Sequence, residues 1–125
     1  YVNIALSPDG GASWSLSRAI PRQLATELLL CGDRISAERL AQLGVVNVIS
    51  DAGNALTDAL ALCERLNKRA PNALASIKEL LSEADSSTLS AHLNRERDHF
   101  VRNLHHPNAG IGIASFLSKT PPSYR

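Results

Sequence analysis

Residues 25–49 read ATELLLCGDRISAERLAQLGVVNVI: an apolar helical run, a glycine, a short polar insert, a second helical run and a β-branched stretch. Two glycines punctuate it. The helical pattern of Arg22 to Cys31 ends at Gly32, a residue type suited to the left-handed position that closes a helix. Ser36 can cap the next helix by accepting a first-turn amide, and that helix runs through Leu43 to a stop at Gly44. Val45 to Ser50 is rich in β-branched residues and reads as a short strand.

On the N-terminal side, Tyr1 to Leu6 alternates like a strand already under way, and the chain contains no methionine, so it reads as a piece of a longer protein. Two short strands rarely make a stable sheet alone. The stretch from residue 6 to 18, LSPDGGASWSLSR, then leads into a short helix over Gly11 to Ile20. Asp9 at this junction has two readings. Its carboxylate can cap the helix, accepting first-turn amides at the positive end of the dipole. Alternatively, Gly10 and Gly11 let a ligand approach the backbone with an acid/base group beside it.

On the C-terminal side the apolar period is helical throughout. Leu56, Ala59, Leu60, Cys63 and Leu66 share a face of a helix that starts at Ala55 and is stopped by Pro71. Leu74, Ile77, Leu80, Leu81 and Ala84 align on a second helix; Leu89, Leu93, Phe100 and Leu104 align on a third that starts at Ser86 or Ser87. The last, about Asn108 to Lys119, carries Gly110 and Gly112, each costing about 1 kcal/mol against alanine inside a helix. Such a helix depends on packing against something else. The stripes together offer more apolar surface than four short helices need among themselves, which predicts an interface.

Composition narrows the function. The 125 residues are 44% hydrophobic and 20% charged with a net charge of +1, as in ordinary globular domains. The longest basic run is Lys68-Arg69, without interleaved aromatics, which argues against a nucleic-acid partner. No segment is long and apolar enough for a membrane span. Cys31 and Cys63 read as free, partly buried thiols in a reducing cytoplasm. His92, Glu96 and His99 share one side of a helix in a single Glu-x-x-His copy, but a bundle metal site needs ligands from facing helices, so no metal is expected. Glu96 reads as an ion-pair partner at the edge of a helix contact, with a catalytic carboxylate as the alternative, and His105-His106 as the polar end of the third long helix.

The segments LSPDGGASWSLSR, ATELLLCGDRISAERLAQLGVVNVI and ASFLSK, in that order, resemble the C-terminal half of the crotonase (enoyl-CoA hydratase/isomerase) superfamily. The likeness covers essentially the whole chain. Its most specific part is the Gly-Asp-Arg-Ile-Ser-Ala run with Gly44-Val45-Val46. The resemblance implies an α/β spiral fold, of which this chain is a mainly α part with about two short strands. Residues 1–50 would end the spiral core, and residues 51–125 would form a helical trimerisation region. It further implies a cytoplasmic acyl-CoA-processing enzyme, assembled as a homo-trimer or a dimer of trimers. Coenzyme A would enter only as part of the substrate thioester, with no permanently bound cofactor.

Members of this family polarise the thioester with two backbone amides that form an oxyanion hole. Both come from upstream segments, so these 125 residues alone are expected to turn over no enoyl-CoA. Tyr1 matches a position where hydratases place one of two catalytic glutamates, a role tyrosine cannot take at neutral pH; with Gly10 it is expected to line the substrate. Asp9 matches a catalytic aspartate of some isomerases and of the aryl-CoA dehalogenases. Phe116 and Lys119 match positions that reach the adenine and phosphate end of coenzyme A; from the residues alone they are a core aromatic and a solvated lysine. Ala5 stands where glycine is usual, Pro21 where glycine commonly closes the motif, and Thr120 where a basic residue often follows. The implied function is isomerase-like proton transfer on an enoyl-CoA, with Asp9 moving the proton. The alternatives are a non-catalytic helical oligomerisation module of the same fold, and a dehalogenase-like enzyme with Asp9 as nucleophile.

Overall fold

A computed structural model describes residues 1–124. A 3₁₀ turn over Val2–Ile4 precedes the helices α1 (Ala12–Ala19), α2 (Arg22–Cys31), α3 (Ala37–Gln42), α4 (Ala55–Asn67), α5 (Pro71–Ala84), α6 (Leu89–Leu104) and α7 (Pro107–Ser118). No helix among the described residues is long and apolar enough to cross a membrane. The chain divides into two compact units, Tyr1–Leu56 and a second that begins at Thr57.

Neither expected strand forms. In the first stretch the amides of Ile4 and Leu6 donate to the Tyr1 carbonyl at 2.9 and 3.1 Å, and that of Ala5 to the Val2 carbonyl at 3.1 Å. A strand needs a partner ladder; without one among the described residues, these groups are satisfied by local carbonyls. Ala5 closes the turn at φ 59°, a left-handed conformation that favours glycine. In the second stretch, Gly44 at φ 78° reverses the chain, and the amides of Val45 and Val46 fold back onto the Leu40 carbonyl at 2.9 and 3.4 Å.

In the first unit, α1 and the 3₁₀ turn both pack on α2. Its buried apolar side chains are Ile20, 6% exposed, and Ala25, 2% exposed. Gly32 ends α2 at φ 70° with its amide on the Leu28 carbonyl at 3.1 Å. A Cβ at Gly32 would lie 2.8 Å from Val2 Cγ1, so this glycine also makes room for the turn. Ser36 Oγ caps α3, accepting from the Arg39 amide at 3.2 Å.

In the second unit, α5 packs on α6 and α6 on α7. Amides link the three helices. Asn72 Nδ2 donates to Asn103 Oδ1 at 2.7 Å, Asn103 Nδ2 to Ser76 Oγ at 2.9 Å, and Asn108 Nδ2 to Asn72 Oδ1 at 2.9 Å. Ser76 and Asn108 are buried. The cap of α6 is Thr88, whose Oγ1 accepts from the Ala91 amide at 3.3 Å, in place of Ser86 or Ser87. Those two serines close the preceding turn, their amides donating to the carbonyls of Glu83 and Ala84. His106 belongs to α7, which it caps through Nδ1 and the Asn108 amide at 3.1 Å.

The packing need of the glycine-bearing α7 is met in part by Tyr124, whose Oη lies 3.1 Å from where a Cβ of Gly112 would stand; Gly110 faces open space. Large apolar side chains stay open in both units. Leu89 is 75% exposed and Phe116 83%, and every residue of α4 is exposed, its Leu56-Leu60-Cys63 stripe included. Cys31 and Cys63 are free and exposed, not partly buried, because the helix faces that carry them are uncovered.

Candidate functional site

Asp9 does not cap α1. The cap is Gly11, with no side-chain bond, and the Ala12 amide turns to the Asp9 carbonyl at 3.3 Å. Gly10 and Gly11 at φ 59° and 85° are the cause: two successive left-handed residues stand between Asp9 and the first turn, so its carboxylate misses the amides there.

The carboxylate meets Tyr1 instead. The phenol donates to Asp9 Oδ1 at 2.6 Å, a charge-assisted length. Both residues are exposed. The carboxylate acceptor, with a smaller contribution from desolvation, holds the phenol above its ordinary value of 10.0, so Tyr1 keeps its proton. Tyr1, Asp9 and Gly10 therefore fall within one short segment, with the two side chains joined. An exposed carboxylate beside a glycine-opened backbone can exchange a proton with a bound molecule.

Phe116 and Lys119 share a groove at the end of α7 with Ser115, Thr120 and Tyr124. Phe116 is not a core aromatic; it is among the most exposed apolar side chains. Lys119 ends the helix in the left-handed conformation at φ 55°, and the Thr120 amide closes on the Ser115 carbonyl at 3.0 Å. An exposed ring beside an ammonium can take a flat heterocycle and a phosphate. Sequence reasoning missed Tyr124, and the two glycines of α7 were the available signal that something approaches that helix closely.

Three side chains of α6 reach carboxylates, although Nδ1 of both His92 and His99 is buried without a hydrogen-bond partner. His92 Nε2 stands 3.6 Å from Glu96 Oε1, and His99 Nε2 3.7 Å from Glu79 Oε2. Glu96 thus pairs within its own helix, while Arg95 Nη1 to Glu83 Oε2 at 2.6 Å joins His99–Glu79 in linking α6 to α5. Among the described residues no three His, Cys, Asp or Glu side chains are placed to hold a metal.

Comparison with known proteins follows the same lines. The chain is 63% identical to an enoyl-CoA hydratase from Polaromonas sp. JS666 of known crystal structure, with a TM-score of 0.97 over 100% of this chain and 49% of that one. It is 27% identical to the 2,3-dehydroadipyl-CoA hydratase of Escherichia coli (strain K12), over 99% of this chain and 49% of that protein. It is 28% identical to the 1,2-epoxyphenylacetyl-CoA isomerase of the same organism, over 99% of this chain and 47% of that protein. The chain spans about half the length of these curated relatives. The family model described as enoyl-CoA hydratase/isomerase matches residues 1–125, and with the crotonase-type architecture of the solved relatives this shows that the chain belongs to the enoyl-CoA hydratase/isomerase family.

Proposed function

We propose that the whole protein is an acyl-CoA-processing enzyme that moves a proton along an enoyl-CoA in the manner of an isomerase, with Asp9 as the acid/base group. The observation that carries this reading is the Asp9 carboxylate itself: released from capping by Gly10 and Gly11, exposed, and bonded to Tyr1. Tyr1 adds weight, since a protonated phenol offers no second carboxylate of the kind a hydratase uses to activate water. A relative named as an isomerase matches the same stretch of chain. Substrate entry brings coenzyme A with the thioester, its adenine and phosphate end taken by Phe116 and Lys119. The oxyanion donors belong to the half of the relatives' length that this chain does not span.

The exposed apolar faces, Leu89 and Phe116 among them, support a trimer-based homo-oligomer.

The test is Asp9→Asn in the whole protein, assayed with 3-hexenoyl-CoA for the conjugated isomer. Turnover is expected to fall by roughly 10² to 10⁴, the usual share of a general acid/base. The melting temperature is expected to stay put, because no cap is lost. Unchanged turnover removes Asp9 from the chemistry.

A further inference from the structure

Tyr1 and Asp9 lie eight residues apart and are joined by one hydrogen bond of 2.6 Å. Both ends of that bond are set by backbone. The Tyr1 carbonyl is held by the amides of Ile4 and Leu6 at 2.9 and 3.1 Å, and the turn that follows docks on α2, where Gly32 leaves space for Val2. At the other end, the two left-handed glycines turn the chain away after Asp9. Among the described residues, Tyr1 supplies the only side-chain hydrogen bond to the Asp9 carboxylate.

A carboxylate that rotates freely presents either oxygen at a changing angle, and proton transfer to or from carbon is sensitive to that angle. We propose that Tyr1 is a positioning residue for Asp9: its phenol pins Oδ1, fixes the plane of the carboxylate and leaves Oδ2 to exchange the proton with the acyl chain. This rests on the reading of Asp9 as the acid/base group. In the step itself a C–H bond of the acyl chain breaks as the Oδ2–H bond forms, and the electron pair passes to the thioester oxygen. The proton then returns from Oδ2 to a different carbon, so nothing is oxidised or reduced. Tyr1 takes no part in the transfer, because its own proton stays on the phenol.

The test is a double-mutant cycle in the whole protein, Tyr1→Phe, Asp9→Asn and the pair, with 3-hexenoyl-CoA as probe and thermal melting of each variant. Tyr1→Phe is expected to lower kcat roughly 10- to 100-fold with KM unchanged, the cost of a loosened reacting group. In the Asp9→Asn background the same change is expected to cost nothing further, since Tyr1 acts only through that carboxylate. Wild-type kcat in Tyr1→Phe, or the same loss in both backgrounds, overturns the positioning role while leaving Asp9 in place. Wild-type turnover in Asp9→Asn overturns both readings.

A second measurement needs no turnover. Tyrosinate absorbance followed against pH, taken as the difference between each protein and the same protein carrying Tyr1→Phe, reads the phenol of Tyr1, one of two tyrosines in this chain. That phenol is expected to titrate at lower pH in Asp9→Asn than in wild type, because the charged acceptor is gone. An unchanged titration shows that the phenol is not pinned to the carboxylate, and overturns the proposal whatever the substrate.

Discussion

Gly32→Ala tests the packing that sets the Tyr1 end of the pair. Two costs combine at this position. The backbone is at φ 70°, and holding an L-residue in the left-handed region costs about 1 to 2 kcal/mol. The added Cβ would stand 2.8 Å from Val2 Cγ1, well inside the roughly 3.5 to 4.0 Å at which carbon atoms attract. Relieving such a clash typically costs about 1 to 3 kcal/mol. The sum is about 1 to 5 kcal/mol after allowing about 0.4 to 1 kcal/mol for the stiffer unfolded chain. Val2→Ala removes Cγ1, so in that background Gly32→Ala is expected to cost only its backbone share.

Scanning calorimetry of the whole protein reads this directly, at about 2 to 4 °C per kcal/mol for a domain of roughly 150 to 250 residues. The site provides a second readout, because Val2 neighbours Tyr1 and relief of the clash moves the turn. Tyrosinate titration is expected to fall in Gly32→Ala and to recover when Val2→Ala is added. An equal cost in both backgrounds would falsify the Val2 contact, and a neutral Gly32→Ala would refute the left-handed turn as well.

Asn72→Ala is expected to cost about 1 to 3 kcal/mol in chemical denaturation, since Asn103 Oδ1 and Asn108 Nδ2 each lose a partner in a partly buried setting. The Glu38 carboxyl is held below 4.5, first by its own backbone amide and then by the Ser36 hydroxyl. A depressed carboxyl contributes stability above its ordinary value and loses it as pH falls through the lowered one. The melting-temperature gap between wild type and Glu38→Gln is therefore expected to close below pH 4.5, and a gap that widens there would contradict the assignment. Light scattering of the whole protein is expected to give a multiple of three chains, and a monomer at every concentration would exclude the trimer.

Local punctuation was legible in the sequence, and long-range geometry was not. Arg22–Cys31 and its stop at Gly32 were read correctly, because a helix and its glycine terminator are decided within a few residues. The strands failed for the opposite reason. Alternating side chains in Tyr1 to Leu6 say nothing about whether a ladder lies alongside, and here the amides close on Tyr1 and Val2. Asp-Gly-Gly was compatible with a cap, but Gly10 and Gly11 together turn too sharply for one. Ser86, Ser87 and Thr88 are three adjacent hydroxyls, any of which can cap, and composition does not choose among them. Asp9 was singled out by its place before two glycines and again by resemblance, and Tyr1 by resemblance, yet their bond depends on left-handed turns at both ends, one of them at Ala5, where glycine would be the ordinary choice. The partners of α6 on α5, Glu79 and Glu83, were invisible for want of any local signal.

The amide chain from Ser76 through Asn103 and Asn72 to Asn108 has a consequence for assembly. Oily contacts tolerate sliding, whereas directional bonds do not: displacing α6 by one turn would break its amide links together. In a unit whose buried side chains, among the described residues, are Ser76 and Asn108, polar links fix the alignment of three helices before anything covers their apolar faces. In the proposed oligomer a neighbouring subunit would meet a surface already in its final shape. The ordering cost of association, about 0.5 to 1.5 kcal/mol for each mobile side chain immobilised, falls accordingly. Mutations that loosen the amide chain should accordingly weaken the oligomer more than they weaken the unit itself.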